Sequence, residues 1–334
     1  MDNQPQITVV IPNKGRANLC GMAIKSIKCQ SLSNWEAIIV DDGSTPEELE
    51  CIRAAIGSDP RISLVLRDNP PAGANHCRNI GVQRSRSDLL VFLDSDDMLS
   101  PNCLEARVSA MAKHPDLAFV VFAHEIFRDE PGDLEHAWQV CNDEDHLERF
   151  LIMYPPWQTA GPTWRRSTLD AVGPWDETLP LWQDWDYHVR ALSLKPAYSI
   201  EQEPRFFSRV TGVYRESISS WRMRDVDATK IEQRVITKGY EQLRNKGLLT
   251  PRRELLLARL FLMSAENIAH FGQPEAAQSC WRRALELGLI SVRRYREGLV
   301  LLRVHRHTLL RRTCRLYTRT IWPPLLRHCV TANS

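Results

Sequence analysis

Three carboxylates fall within four positions where an apolar run ends: "LLVFLDSDDMLSP", residues 89–101, breaks into Asp94, Asp96 and Asp97. Charges that repel each other this closely are unfavourable unless a cation neutralises them. A hard divalent ion takes oxygen ligands, and Mg2+ in particular favours one or two carboxylates together with substrate phosphates and water. Asp94 and Asp96 stand two apart, so a turn after the strand can aim both at one ion. Taken alone, the pattern also reads as a solvated turn in which Asp97 caps the helix starting near Pro101. A second apolar run, "WEAIIVDD" (35–42), likewise ends on acids, Asp41 and Asp42.

The elements that must carry these acids follow from periodicity. Strands are expected at 7–12, 35–42, 61–66, 89–94 and 117–123. Helices are expected at 18–30, 46–56, 72–85 and 101–114. Pro46 and Pro101 open two of these helices, where a missing N–H is no loss. Alternating strand and helix with short links predicts an α/β, Rossmann-like fold, a mostly parallel sheet with helices on both faces. In such sheets ligands bind beyond the carboxyl ends of the strands. That is where the two acidic clusters fall. The segment 126–220 is rich in Trp and Pro, with a helix expected at 184–194 and a strand at 203–215. From about Met223 the pattern becomes helical. Residues 255–289 read as a helical hairpin turning at Gly272–Pro274, similar to a single tetratricopeptide unit, with no second copy.

Composition narrows the function classes. The 334-residue chain carries a formal net charge of +2, which argues against a nucleic-acid partner. That balance hides an asymmetry: residues 291–334 hold ten Arg and one acid, Glu297, while the remainder is net acidic. Nine cysteines without a C-x-x-C pair read as reduced thiols. The polar start "MDNQPQ" is unlike a signal peptide, and no run is long enough to span a membrane, so a cytoplasmic location is expected. The segment 291–328 mixes Arg with Leu, Val, Ile and Trp, and a helix there suits peripheral contact with an anionic membrane.

Five pieces in order, "VVIP" (9–12), "VDDGST" (40–45), "GANHCRNIG" (73–81), "FLDSDD" (92–97) and "VGPWDE…WQDWD" (172–186), resemble the family-2 glycosyltransferases, inverting enzymes of the GT-A fold. The resemblance covers roughly residues 5–220. It implies a glycosyltransferase domain over 1–220, with a nucleotide-sugar-binding half at 1–125 and an acceptor-binding half at 126–220, followed by a helical region at 221–334. It implies transfer of a sugar from a nucleoside diphosphate sugar, with UDP favoured, to a hydroxyl on a glycan or lipid-linked acceptor, in cell-envelope or exported glycan synthesis. Pro12, Asp42, Arg78 and Asp94 would hold the donor. Asp96 would bind Mn2+ or Mg2+ on the diphosphate. Asp184 would be the general base, with Trp182 and Trp185 as an acceptor subsite. Asp41 is expected to orient its loop through Ser44. The chain departs from the family at "PNKGR" (12–16), which lacks the usual aromatic and Asn, and at Gln183, where a Glu usually precedes the base. Glu216 stands near the place of a further metal ligand. A sugar nucleotidyltransferase and a non-catalytic scaffold with a transferase-like fold are the alternatives. The first calls for a glycine-rich basic loop after strand one, which "PNKGRANLCG" (12–21) does not supply, and the second is disfavoured by the retained acids.

Overall fold

The computed structural model describes residues 4–67, 73–134, 136–138, 140, 144–210 and 226–304. The chain divides into two compact units, residues 1–220 and 221–334.

The first unit opens with β1 (Ile7–Asn13), α1 (Ala17–Lys28), β2 (Trp35–Asp41), α2 (Pro46–Ile56), β3 (Ile62–Leu66), α3 (Ala74–Arg84), β4 (Leu89–Phe92), β5 (Met98–Leu99), α4 (Cys103–Lys113) and β6 (Phe119–Phe127). It continues with β7 (His136–Trp138), α5 (His146–Leu151), β8 (Pro162–Arg165), α6 (Arg166–Val172), α7 (Gln183–Leu192) and β9 (Tyr198–Arg209). One sheet holds them in the order β3-β2-β1-β4-β8-β6-β9-β5, with β7 paired to β6. The β3-β2-β1-β4 half is parallel throughout. Beyond it the sheet is mixed: β8 runs antiparallel to both β4 and β6, whereas β9 is parallel to β6. The strand at 203–215 thus begins earlier than its sequence suggests, and residues 211–215 lie outside the described part. Chain order reverses between β1 and β4, so the crevice of this sheet lies at the carboxyl ends of those two strands.

Alternation along the strands explains the layering. Ile7, Val9, Ile11, Ala37 and Ile39 face α1, α2 and α4 through Cys20, Ala23, Ile24, Ile52 and Leu104. Ile38 and Val40 face the other way, against Cys77 and Ile80 of α3. This is the period-two pattern of a strand buried on both faces. The contact of α3 with the sheet depends on Gly81, where an added Cβ would stand 2.2 Å from Val10 Cγ1. Burial of the Cys20 and Cys77 thiols pushes each up to about 12, so both are inert packing groups at neutral pH.

The second unit consists, in its described part, of helices Val226–Asn245, Pro251–His270, Pro274–Glu286 and Val292–Val304. The middle pair forms the expected hairpin, with Gly272 in the left-handed region at φ 75°. Trp281 is fully buried and its Nε1 donates to the Tyr295 carbonyl at 2.9 Å. Gly298 lies against its indole, where a Cβ would come within 2.2 Å of Nε1.

Candidate active site

Each acid at the strand ends has its own partner, and the partners sort the structural acids from the available ones. Asp41 accepts from Asn13 Nδ2 at 2.7 Å and from the Ser44 amide at 2.9 Å, and pairs with the Ser44 hydroxyl. Ser44 in turn accepts from the Gly15 amide at 2.8 Å. Asp41 therefore ties the loop after β1 to the loop after β2. Asp97 is buried and accepts the Arg209 amide at 2.9 Å. Burial, then the charges of Asp94 and Asp96, push its carboxyl well above the usual range. Asp97 does not cap the next helix; Asn102 is the residue at that position. Asp97 fixes the turn, and Arg209 completes the job by donating from Nε to the Asp96 carbonyl at 3.2 Å.

Asp94 and Asp96 are left at the cleft. Asp96 pairs with Arg16 at 3.1 Å, and both side chains keep solvent contact, at 18% and 37% exposure. Asp94 accepts from Arg78 Nη2 at 2.9 Å and stays 43% exposed. Desolvation in the crowded floor of the cleft pushes the Asp94 carboxyl up, opposed by Arg78 and reinforced by Asp184 and Asp96. Its remaining exposure lets water screen part of that shift. The charge of Asp184 is thus felt at Asp94, which brings the expected base and the expected donor-binding acid to one cleft.

What carries Asp184 there is α3. Asn75 Nδ2 donates to the Asp176 carbonyl at 2.7 Å, Asn79 Nδ2 to the Trp175 carbonyl at 2.9 Å, and the Trp175 amide returns to Asn79 Oδ1 at 2.9 Å. His76 meets Glu177 at 2.8 Å. These side chains pin the loop that leads into α7. Trp182 precedes that helix in the left-handed region, at φ 57°, a conformation a bulky residue adopts only when its surroundings impose it. Arg16 precedes α1 in the same region, at φ 54°. Asp184 then projects exposed from the first turn of α7. Asp186 is buried and paired with Arg190 at 2.9 Å, and Arg190 also donates to the Val172 and Pro174 carbonyls. Asp186 is a clamp on the Gly173–Pro174 turn, so of the two acids only Asp184 is free to face a ligand.

Some expected residues sit differently. Arg78 is only 4% exposed. Its Nη1 donates to Gln183 Oε1 at 3.1 Å and to Asn75 Oδ1 at 3.3 Å, and its guanidinium lies 4.6 Å from the Trp175 ring centroid. Arg78, expected to hold the donor, forms a buried bridge between Asp94 and the start of α7. Gln183 suits that bridge: its Oε1 accepts from Arg78 while its Nε2 donates to the Leu179 carbonyl at 3.1 Å. An ionised Glu would lose the second bond. Trp185, expected with Trp182 in an acceptor subsite, lies inside the first unit. It is buried, with Nε1 donating to the Phe150 carbonyl at 2.8 Å, and packs in the aromatic core. Trp182 is half-buried at the surface of α7, 5.8 Å from Trp185 between ring centroids. Pro12 is buried near the end of β1, opposite Val40. Asp42 is buried, pairs with Arg67 and accepts the Gly73 amide at 2.6 Å. Glu216 lies outside the described residues.

The donor set bears on a metal. Among the described residues no group of three or more His, Cys, Asp or Glu converges to hold one. Asp96 with Asp94 offers two carboxylates on one turn, which fits an ion that brings phosphate oxygens and water with it. Arg16, partly exposed, already neutralises Asp96 in the free protein.

His188 adds a pH dependence. It is 1% exposed, stacks on Phe150 at 5.0 Å, and its Nδ1 bonds the Asp184 carbonyl at 2.8 Å. Burial pulls its imidazole from the ordinary 6.5 down to about 4. The unfolded chain therefore takes up the proton first. The contribution to stability is whole above pH 6.5 and is lost as pH falls towards 4, by about 3 kcal/mol. Unfolding free energies of the parent and His188→Phe, compared at pH 7 and pH 4.5, should show the parent losing more. Equal losses contradict the assignment.

Residues 8–164 match the sequence model of the family described as glycosyl transferase family 2. Among curated proteins, a putative colanic acid biosynthesis glycosyl transferase, WcaA of Escherichia coli, is 39% identical over 115 residues, covering 34% of this chain and 39% of that protein. The chain spans less than half the length of the first curated relatives it matches. Among solved structures, S. aureus TarS 1-349 in complex with UDP-GlcNAc superposes with a TM-score of 0.64 at 14% identity, covering 89% of this chain and 90% of that one. The mannosyltransferase PcManGT from Pyrobaculum calidifontis, in complex with GDP-Man and Mn2+, gives 0.55 at 17% identity, covering 96% and 84%. The fold is that of these glycosyltransferases: a mixed α/β sheet unit of GT-A type followed by helices.

Proposed function

We propose that this chain is a family-2 glycosyltransferase that moves a sugar from a nucleoside diphosphate sugar to a hydroxyl acceptor in cell-envelope glycan synthesis. The observation that carries the reading is the convergence of Asp94, Asp96 and Asp184 on one cleft at the reversal point of the sheet, with every other nearby acid in a structural bond. The roles of the relatives and the nucleotide sugars bound in the superposed structures support the class of donor. UDP is the favoured carrier.

Asp184 receives the proton of the attacking hydroxyl, whose oxygen displaces the diphosphate at the anomeric carbon with inversion. An exposed carboxylate held on a helix start is suited to that transfer. Asp42 and Pro12 line the nucleoside end, and Asp94 takes the ribose side. Asp96 would hold Mn2+ or Mg2+, which when bound stabilises negative charge on the leaving diphosphate. Arg16 releases Asp96 and remains beside the phosphates. Trp182 offers a face to the acceptor.

The test is incubation with a panel of nucleotide sugars and Mn2+. Slow release of nucleoside diphosphate is expected, because water substitutes for the acceptor. Release of pyrophosphate from a nucleoside triphosphate would instead assign a nucleotidyltransferase, and inertness towards every donor would leave a scaffold.

A further inference from the structure

In the second unit, the helix Val292–Val304 presents an unusual outward arc. At 100° per residue, Val292, Arg303, Arg296, Val300 and Arg293 fall in that order within about 100° of one face. All five are exposed, and Gly298, Leu301 and Leu302 on the opposite side are buried. Val292 and Val300 are 55% and 58% exposed. Among the described residues only five large hydrophobics are well exposed, so two of them on the outward arc of one helix is a concentration. Arg293 makes a surface pair with Glu297 at 3.1 Å, and Glu297 is the sole acid of this helix. The following residues, 305–334, lie outside the described part. Their sequence adds six Arg and no acid.

We propose that this arc is a docking surface for an anionic phospholipid bilayer. Apolar side chains interleaved with guanidinium groups match the boundary between acyl chains and negative headgroups. The valines enter the boundary while the arginines reach the phosphates. A soluble acidic protein would satisfy the charge but leave the two valines without a hydrophobic counterpart. The tail continues with the same sign of charge, so the attraction extends past the helix. Among the described residues no helix is long and apolar enough to cross a membrane, so the contact is peripheral. The inference is independent of the catalytic reading, although a lipid-linked acceptor would make the location useful.

The experiment is cosedimentation of the full chain with vesicles of phosphatidylcholine alone and of phosphatidylcholine containing phosphatidylglycerol. Binding to the anionic vesicles only, weakening as salt is raised, is expected. Arg293→Gln, Arg296→Gln and Arg303→Gln together should weaken it on the order of a hundredfold, since each surface arginine contributes roughly a factor of several. Val292→Ser with Val300→Ser should weaken it with the charge unchanged. All these positions are exposed, so the thermal unfolding midpoint should not move. Failure to bind anionic vesicles overturns the proposal. So does undiminished binding by both variants, which would place the contact elsewhere on the chain. An electrostatic complex with an acidic protein, formed while vesicles are ignored, would reassign the surface. Donor turnover, measured on the same samples, separates any of these results from failure of the glycosyltransferase reading.

Discussion

Asp184→Asn should lower kcat by about 10²–10⁴-fold while leaving the KM for the donor within about twofold. The carboxamide keeps the shape of the side chain but cannot take the acceptor's proton. Asp184 is exposed and its side chain holds no part of the fold together, so stability should be unchanged. The neighbouring Asp186→Asn is the control. It breaks a buried pair with Arg190 and loosens the clamp on Gly173–Pro174, so it should lower the unfolding midpoint. Steady-state kinetics and thermal unfolding of both variants decide the matter. Near-parental kcat in Asp184→Asn removes it as the base. Loss of donor binding in that variant makes it a binding residue instead.

Arg107→Met should destabilise the first unit by roughly 3 kcal/mol or more, since each buried acceptor left without a donor costs about 1–3 kcal/mol. Arg107 is fully buried, and its guanidinium bonds neutral groups. Nη2 donates to the Ala160 carbonyl at 2.7 Å, and Nη1 to the Thr163 hydroxyl at 2.8 Å and the Gly161 carbonyl at 2.9 Å. Its guanidinium lies 4.8 Å from the Phe122 ring centroid. The Gly161 carbonyl keeps a second donor, the Phe122 amide, but the Ala160 carbonyl and the Thr163 hydroxyl lose theirs. Methionine replaces much of the volume, so the loss isolates the hydrogen bonds from a cavity. Arg107→Lys should fall between the two, since an ammonium lacks the planar fork. Urea unfolding followed by fluorescence reads it directly, because Trp157 and Trp164 flank the tethered stretch. A midpoint unchanged in Arg107→Met contradicts this account of how β8 is held between β4 and β6.

The parallel half of the fold is legible in the sequence because doubly buried strands are plain apolar runs and their ends are marked by charge. Asp42, Asp94 and Asp96 are visible for the same reason: three acids closing apolar strands have no packing role to hide behind. The partners of those acids are not legible. Arg16, Arg78 and Arg209 reach them from 80, 16 and 113 residues away, respectively. Such pairs are set by tertiary approach, and no local spacing encodes them. β8 is missed because it is four residues opened by a proline, a signal that reads as a break. Trp182 and Trp185 could not be told apart by type, since either suits a core or a sugar face. The backbone decides: a left-handed Trp182 leaves its ring at the surface while Trp185 turns inward. Arg107 carries no warning at all in the sequence, where an arginine in an amphipathic helix looks solvated.

Metal-linked grip on a diphosphate is the step on which the catalytic reading stands. Calorimetric titration of UDP and GDP into the full chain, with and without Mn2+, measures it. Tight binding of at least one nucleotide only when Mn2+ is present, lost in Asp96→Ala but kept in Asp184→Asn, is the predicted result. Binding that ignores the metal and survives Asp96→Ala, or no binding of either nucleotide, would contradict it.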